Sequence, residues 1–275
     1  MTKTVKRHEI QGNMGTGLLK VLALVFMFID HAGKMCFPAI AELRLLGRVA
    51  FPLYCWCMVV GACYTRSFPR YLLRIGLIGL ISQPLYMVAL NHPLTDYNIF
   101  LTMFVGLCGL WGLRRQRFLS HIWAPLLALV AAQLLGVDYG WRGVLLMFLL
   151  YGARNSRTGI AALMVAFCLF WGTTSSSVTE LFGVSLVPLF RSEVGSLISP
   201  WFKIQAFALL ALPLMLIRTS RRMRMPGWLS YAIYPLHLAA LIGLEYLMGK
   251  TVHWEHLTKV WTQLVGLWNQ LMALI

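Results

Sequence analysis

The chain has 275 residues, of which 59% are hydrophobic and only 12% charged. Soluble domains run nearer ~45–50% apolar and ~25% charged, so a soluble enzyme, a disordered tail and a disulfide-stapled secreted scaffold are all excluded. The net charge of +15 raises nucleic acid as a partner, but a mean hydropathy of +0.71 places the basic residues at membrane edges and leaves no nucleic acid to bind.

Residues 1–16 form a basic lead-in to the first apolar run. Within it, GNMGTG at 12–17 follows no strand and reads as a flexible approach rather than a phosphate loop. The lead-in has the basic head of a signal peptide. However, the run behind it is too long, lacks a small-x-small cleavage site and contains Asp30-His31, so the segment is expected to be retained. A spanning helix needs ~20 mostly apolar residues. Such runs occupy about 17–36, 43–63, 71–90, 97–113, 119–136, 141–153, 158–174, 201–217 and 229–248. The stretch 175–200 is Ser-rich with a short apolar patch, and reads as a long loop with an interfacial element. A tenth segment, 257–275, carries Lys259, Gln263 and Gln270 along one stripe and either spans or lies in the interface. The expectation is an all-α polytopic integral membrane protein: one domain over 1–275, with nine to ten transmembrane helices. Its six cysteines, almost all inside apolar runs, read as small packing residues; neither a CxxC pair nor a zinc-like Cys/His spacing occurs, and no metal is expected.

Sidedness follows from the basic residues. With Lys3, Lys6, Arg7 and Lys20 on the cytoplasmic side, alternate loops carry Arg66/Arg70/Arg74, Arg114/Arg115/Arg117, Arg154/Arg157 and Arg218/Arg221/Arg222/Arg224 on the same side. Two thirds of the 24 basic residues then lie inside, while Glu42, Asp96, Asp138, Glu180, Glu193 and Glu255 lie outside. The N-terminus is therefore expected in the cytoplasm and the 175–200 loop in the periplasm. No internal repeat is visible, which counts against the inverted-repeat transporter architecture.

Ionisable groups at bilayer depth are functional candidates. Asp30-His31 lies ~21 Å along the first helix. Adjacent residues diverge by about 100°, so the two are not expected to bond each other, and Asp30 has Lys34 one turn ahead as an ordinary i,i+4 partner. His31 reads either as a snorkelling interfacial side chain or as a buried imidazole acting as general base or acyl-transfer residue. Arg48 opens the second helix on the same side, as a headgroup anchor, a partner for Asp30 or an oxyanion stabiliser. Asp96, Tyr97 and Asn98, and Asp138, Tyr139, Trp141 and Arg142, mark the outer ends of later helices. His237 sits mid-span after Pro235, where a histidine needs a partner or a wet cavity. His92, His121, His253 and His256 lie at span ends and read as solvent-exposed.

These stretches, LLKVLALVFMFIDHAG (18–33), GRVAFPLYCWCMVVG (47–61), YNIF (97–100), YGWRGVLLM (139–147) and YAIYPLHLAALIGL (231–244), resemble the TraX family of conjugation systems, inner-membrane proteins associated with N-acetylation of F-type pilin. A weaker similarity extends to membrane acyltransferases, with a histidine in the first helix, a nearby arginine and a late aromatic-x-x-His segment. The resemblance implies His31 as the central catalytic residue, Asp30 and Arg48 as its partners, His237 as a second site histidine, and Asn98, Tyr139 and Arg142 on the substrate side.

The reading that results is an acetyl-CoA-dependent acetyltransferase of the bacterial inner membrane, acting on an outer-face acceptor, with the N-terminal amine of a pilin foremost. An O-acetyltransferase of an envelope glycan, a non-catalytic pilus-assembly scaffold and a transporter are its rivals. The phosphates of acetyl-CoA cannot enter hydrocarbon, so inner-loop arginines are expected to hold them at the inner face. Arg66, Arg70 and Arg74 are foremost, with Arg114/Arg115/Arg117, Arg154/Arg157 and the 218–224 cluster as alternatives. The pantetheine arm would reach His31 between the first, second and ninth helices. Partners are thus acetyl-CoA, a pilin or other envelope acceptor, and membrane lipids.

Overall fold

The computed structural model describes residues 10–219 and 227–273. The basic lead-in at Lys3, Lys6 and Arg7 and the Arg221/Arg222/Arg224 cluster lie outside the described residues. The described chain is helical apart from one small hairpin and its connections. Helix α1 (Thr16–Met35) packs against α2 (Ala41–Gly47) and α3 (Ala50–Tyr64). The latter two make one 24-residue span, Ala41–Tyr64, broken at Arg48-Val49. The sequence AFPLYCWCMVVGACY is apolar on every side, and α3 is buried on nearly every side, as the central helix of the bundle. Helix α4 (Phe68–Leu90) follows, with Pro69 in its first turn, where the missing N–H costs nothing.

Around these stand α5 (Ile99–Arg115), α6 (Ser120–Leu134), α7 (Gly140–Ala153) and α8 (Arg157–Gly172). Helix α5 packs on α6, α4, α7 and α3, so it joins the centre to the flank. The 175–200 loop contains a two-residue hairpin, β1 (Glu180–Leu181) with β2 (Val184–Ser185), then α9 (Val187–Phe190) and α10 (Glu193–Ile198). It folds back over α2, the backbone N–H of Phe182 donating to the Glu42 carboxylate. Next come 3₁₀ turns Ser199–Phe202 and Ile204–Ala211 and the short α11 (Leu212–Leu216). Helix α12 (Gly227–Leu247) packs on α4 and α1, and α13 (Glu255–Ala273) leans on α4. The cysteines are free; Cys36, Cys55, Cys57 and Cys168 are buried among apolar side chains.

The all-α expectation holds, the count of nine to ten spans is not confirmed by helix length, and one further expectation changes. Among the described residues, three helices are long and apolar enough to cross a membrane: Thr16–Met35, Ala41–Tyr64 and Phe68–Leu90. Four further apolar stretches, Ser120–Leu134, Gly140–Ala153, Arg157–Gly172 and Ile204–Leu216, have 10–17 residues, ~15–25 Å, short of a ~30 Å hydrocarbon core. The eighth expected span is mostly 3₁₀ helix. Pro200 and Pro213 bracket it, each without an N–H for an α-helical ladder.

The further change is at 12–17, which is pinned rather than flexible. Asn13 is fully buried. Its side-chain amide donates to Leu214 O at 2.9 Å, and its Oδ1 accepts from the Gly15 N–H at 2.8 Å and Thr219 Oγ1 at 3.0 Å. The Asn13 N–H donates to Met215 O at 2.6 Å, and its carbonyl accepts from Trp56 Nε1 at 2.7 Å. A Cβ at Gly12 would collide with the Trp56 ring. The glycine is there for close approach. Asn13→Ala should therefore lower stability by ~2–4 kcal/mol, because several buried groups lose partners at once. A fall in unfolding temperature in detergent checks this; an unchanged midpoint would refute it.

Candidate functional site

The ends of α1, α4, α6 and α8 and the start of α7 meet on one side of the bundle around a cavity of about 400 Å³. Asp30, His31 and Lys34 enter from α1, Arg44 and Arg48 from α2 and its break, and Tyr139, Trp141 and Arg142 from the head of α7. The 100° between neighbours on α1 sends Asp30 and His31 to different helices, as expected.

Asp30 turns toward α2. Its Oδ2 accepts from Arg44 Nη1 at 3.0 Å, and its Oδ1 is bonded to Arg48 Nη2. Asp30 is only 6% exposed and Arg48 7%. A second donor of Arg48, Nε, reaches Arg44 O at 3.2 Å, so the guanidinium is fixed from two directions. Gly47 makes this seat possible, since a Cβ there would overlap the Asp30 carboxylate. Lys34 is not the partner of Asp30. With both carboxylate oxygens taken, its ammonium donates to Leu90 O at 3.0 Å, one of the orphan carbonyls ending α4, and to His92 Nε2 at 3.1 Å.

His31 turns toward α12. Its Nδ1 lies 3.0 Å from His237 Nε2, with the rings nearly parallel at a centroid distance of 5.2 Å. One proton is shared between these nitrogens, which leaves His31 Nε2 without a protein partner among the described residues. When Nδ1 carries that proton, Nε2 presents a lone pair. His237 is buried, and Tyr234, one turn earlier, closes the floor behind it.

Tyr139 lines the cavity from a left-handed backbone at φ 63°. That turn lays its ring on Phe51 at 3.9 Å and edge-on to Trp171 at 5.6 Å. A non-glycine residue there carries ~1–2 kcal/mol of backbone strain, which this packing must offset. Arg142 also lines the cavity, its guanidinium 5.0 Å from the Trp141 ring centroid and its buried Nε without a hydrogen-bond partner among the described residues. Asn98 is elsewhere. It caps α5 by accepting from the Phe100 N–H at 2.9 Å, and it donates to Gly79 O at 2.7 Å and Gln83 Oε1 at 2.8 Å. It is wholly buried and does not line the cavity, so its polar atoms serve the scaffold.

Arg66, Arg70 and Arg74 are exposed at the other end of α4 and make no hydrogen bond or ion pair among the described residues. From Arg70 to the cavity residue Leu90 is ~30 Å along the helix. Their donors suit phosphates, but the structure does not bring them near His31. On the side of His31 toward Met27 lies a void of about 10 Å³, walled by Ala50, Phe51, Ile99 and Tyr234. That is too narrow for a pantetheine arm.

Sequence reasoning passed over three side chains. Arg44 carried a signal, since it precedes Arg48 by one helical turn. His92, expected in solvent, is half-buried and accepts from Lys34 while its Nδ1 bonds Asp96 at 2.9 Å. Burial lowers its pKa below the ordinary value, as befits an imidazole facing an ammonium. Asp138, noted without a role, lines the cavity between α6 and α7. Its N–H donates to Tyr97 O at 2.7 Å and its carbonyl accepts from Thr102 Oγ1 at 2.6 Å, so the backbone is fixed while the carboxylate has no ion-pair partner among the described residues. Burial pushes that carboxyl up to about 6.

A family profile described as "TraX protein" matches residues 16–245, from the start of α1 almost to the end of α12. The chain belongs to the TraX family. This TraX protein is 28% identical over 178 residues to an uncharacterized protein of Rickettsia prowazekii, covering 62% of the chain and 67% of that relative. It is 29% identical over 165 residues to a probable fimbrial assembly protein of Dichelobacter nodosus, serogroup H1, covering 54% and 67%. No solved structure matches it. Family and apolar helices together make it a membrane protein.

The buried clamp makes a direct prediction. Asp30→Ala leaves Arg48 charged and uncompensated and should cost ~3–5 kcal/mol, whereas the double change Asp30→Leu with Arg48→Met should cost much less. Folded yields by size-exclusion chromatography decide it; equal losses in the single and double variants would count against the clamp.

Proposed function

We propose that this protein is an acetyltransferase of the bacterial inner membrane that uses cytoplasmic acetyl-CoA to acetylate an acceptor at the outer face, the N-terminal amine of a pilin foremost. The observation that carries this reading is the His31–His237 pair, which leaves one imidazole nitrogen of the cavity-lining His31 without a partner among the described residues, beside a buried arginine–aspartate clamp. The fimbrial assembly protein among the relatives supports the pilus connection, and the excess of arginine in alternate loops supports a cytoplasmic N-terminus. Apolar segments shorter than a full span then cross in company with their neighbours, as a multi-pass bundle.

In this reading acetyl-CoA supplies an acetyl thioester, with its phosphates left among Arg66, Arg70 and Arg74. The chain's own residues handle the protons. Asp138, ionised above about 6, takes the proton of an incoming ammonium. His31 Nε2 takes the second proton as the nitrogen attacks, and returns it to the departing thiolate. His237 orients His31 by sharing the Nδ1 proton, and Arg48 fixes Asp30 and places positive potential beside the developing oxyanion. Opening of the narrow void behind His31 is required for the donor arm to pass.

His31→Ala should lower acetyl transfer by the purified protein ~10²–10⁴-fold with insertion unchanged. Arg48→Lys should also be severe, since an ammonium cannot reproduce the guanidinium fork. Turnover should fall as pH drops through about 6, where Asp138 takes up its proton and stops acting as a base. Asp138→Asn should lose that limb. Radiolabelled acetyl transfer to a peptide with a free N-terminus tests all three; no transfer by the wild type would leave the scaffold reading in its place.

Orientation has its own test. A cysteine at Ser176 should react with a membrane-impermeant maleimide in intact spheroplasts, and one at Arg66 should react only after lysis. The reverse pattern would invert the topology and with it the outer-face acceptor.

A further inference from the structure

A second, larger concavity lies on the flank of the bundle, away from His31. It is a groove of about 670 Å³ between α5 and α6, with a margin from α4. Its walls are almost wholly apolar: Phe104, Cys108 and Trp111 of α5 face Trp123, Leu127 and Leu135 of the α6 side. It is preformed. Gly112 allows α5 to press against α6, where a Cβ would overlap Ala124, and Ser120 Oγ donates to Gly112 O at 3.0 Å to hold that crossing. From Ser120 to Leu135 the α6 wall runs ~22 Å, about the length of one extended fatty acyl chain.

The groove is polar at one end only. Arg115 and Arg117 line it there, at the α5–α6 turn, and no carboxylate does. The Arg115 guanidinium sits 5.6 Å from the Trp111 ring centroid and that of Arg117 5.0 Å from Phe118. Neither side chain donates a hydrogen bond or forms an ion pair among the described residues, so both keep their N–H groups for an anion. Phe118 and Leu119 hold left-handed backbone at φ 50° and 55°, the tight turn that aims Arg117 at this end.

We infer that the groove is a binding site for an anionic phospholipid, with one acyl chain along α5 and α6 and the headgroup phosphate between Arg115 and Arg117. A tail-length apolar slot with two unspent cations at one mouth matches an amphiphile with a single negative head, and a zwitterionic lipid matches it less well. The arginine mouth is at the end of the bundle opposite the cavity, so the lipid belongs to the cytoplasmic leaflet in the orientation given above. The inference does not depend on acetyl transfer.

The test is native mass spectrometry of the full chain released from nanodiscs holding phosphatidylglycerol or phosphatidylcholine with the same acyl chains. Wild type should retain one phosphatidylglycerol about tenfold better than phosphatidylcholine. Arg115→Gln with Arg117→Gln, both at the surface, should bring the two lipids level, and Ala131→Phe should fill the slot and lose both. Equal retention of the two lipids by wild type, or a preference that survives loss of both arginines, would overturn the site. A dimer abolished by Ala131→Phe would assign the groove to a second copy of the chain instead.

Discussion

The cavity end of this protein is organised by one buried carboxylate shared between two guanidiniums. Removing Asp30 and Arg48 from water costs several kcal/mol per ion, which only close, multiply bonded geometry offsets. The chain supplies that geometry in three ways. The break at Arg48-Val49 ends α2 where its side chain can turn back on α1. Gly47 removes the Cβ that would block the carboxylate. Arg44, one turn earlier, takes the second oxygen. With Asp30 locked toward α2, the helix geometry directs His31 toward α12, and the histidine pair follows.

Much of this was legible in the sequence, because an aspartate, a histidine and an arginine inside apolar runs have few inexpensive explanations. What could not be read was the choice among partners. Lys34 sits at the right spacing for Asp30, yet two arginines from another helix outcompete it and it caps α4 instead. Asn98 before an apolar run has the signature of a helix cap, and that reading, rather than the resemblance, predicts its contacts. The glycines at 12–17 look flexible in one dimension; only the Trp56 ring arriving from α3 shows why Gly12 lacks a side chain. Helix lengths were least legible. Apolar content marks 201–217 as a span, while Pro200 and Pro213 divert its backbone into 3₁₀ turns.

The two ends of the bundle differ in how their cations are used. At the cavity, Arg44 and Arg48 are spent on Asp30, and Lys34 on Leu90 and His92. At the opposite end, Arg114, Arg154 and Arg218 donate to Ala62 O, Tyr151 O and Gln11 Oε1, whereas Arg66, Arg70, Arg74, Arg115 and Arg117 keep their side-chain donors among the described residues. A positive-inside bias needs only charge, so it does not by itself explain a binding site. Local shape separates the cases: Arg115 and Arg117 sit over aromatic rings at the mouth of a groove, whereas Arg66, Arg70 and Arg74 lie on an open helix end.

The two cavity carboxylates have opposite environments, and the roles proposed for them follow from that difference. Asp30 has both oxygens bonded to guanidiniums and little access to anything else, so it cannot exchange protons with a substrate without breaking the clamp. Asp138 has its backbone pinned to Tyr97 and Thr102, no ion-pair partner among the described residues, and a carboxyl raised by burial to about 6. A group at that value changes protonation close to neutrality at little cost, which suits a proton acceptor. His31, between them on the cavity wall, has its Nδ1 engaged by His237, so only Nε2 is left to act. In the proposed reaction the labour is divided accordingly: one carboxylate holds the helices, the other is left for protons, and the imidazole is aimed by its partner on α12.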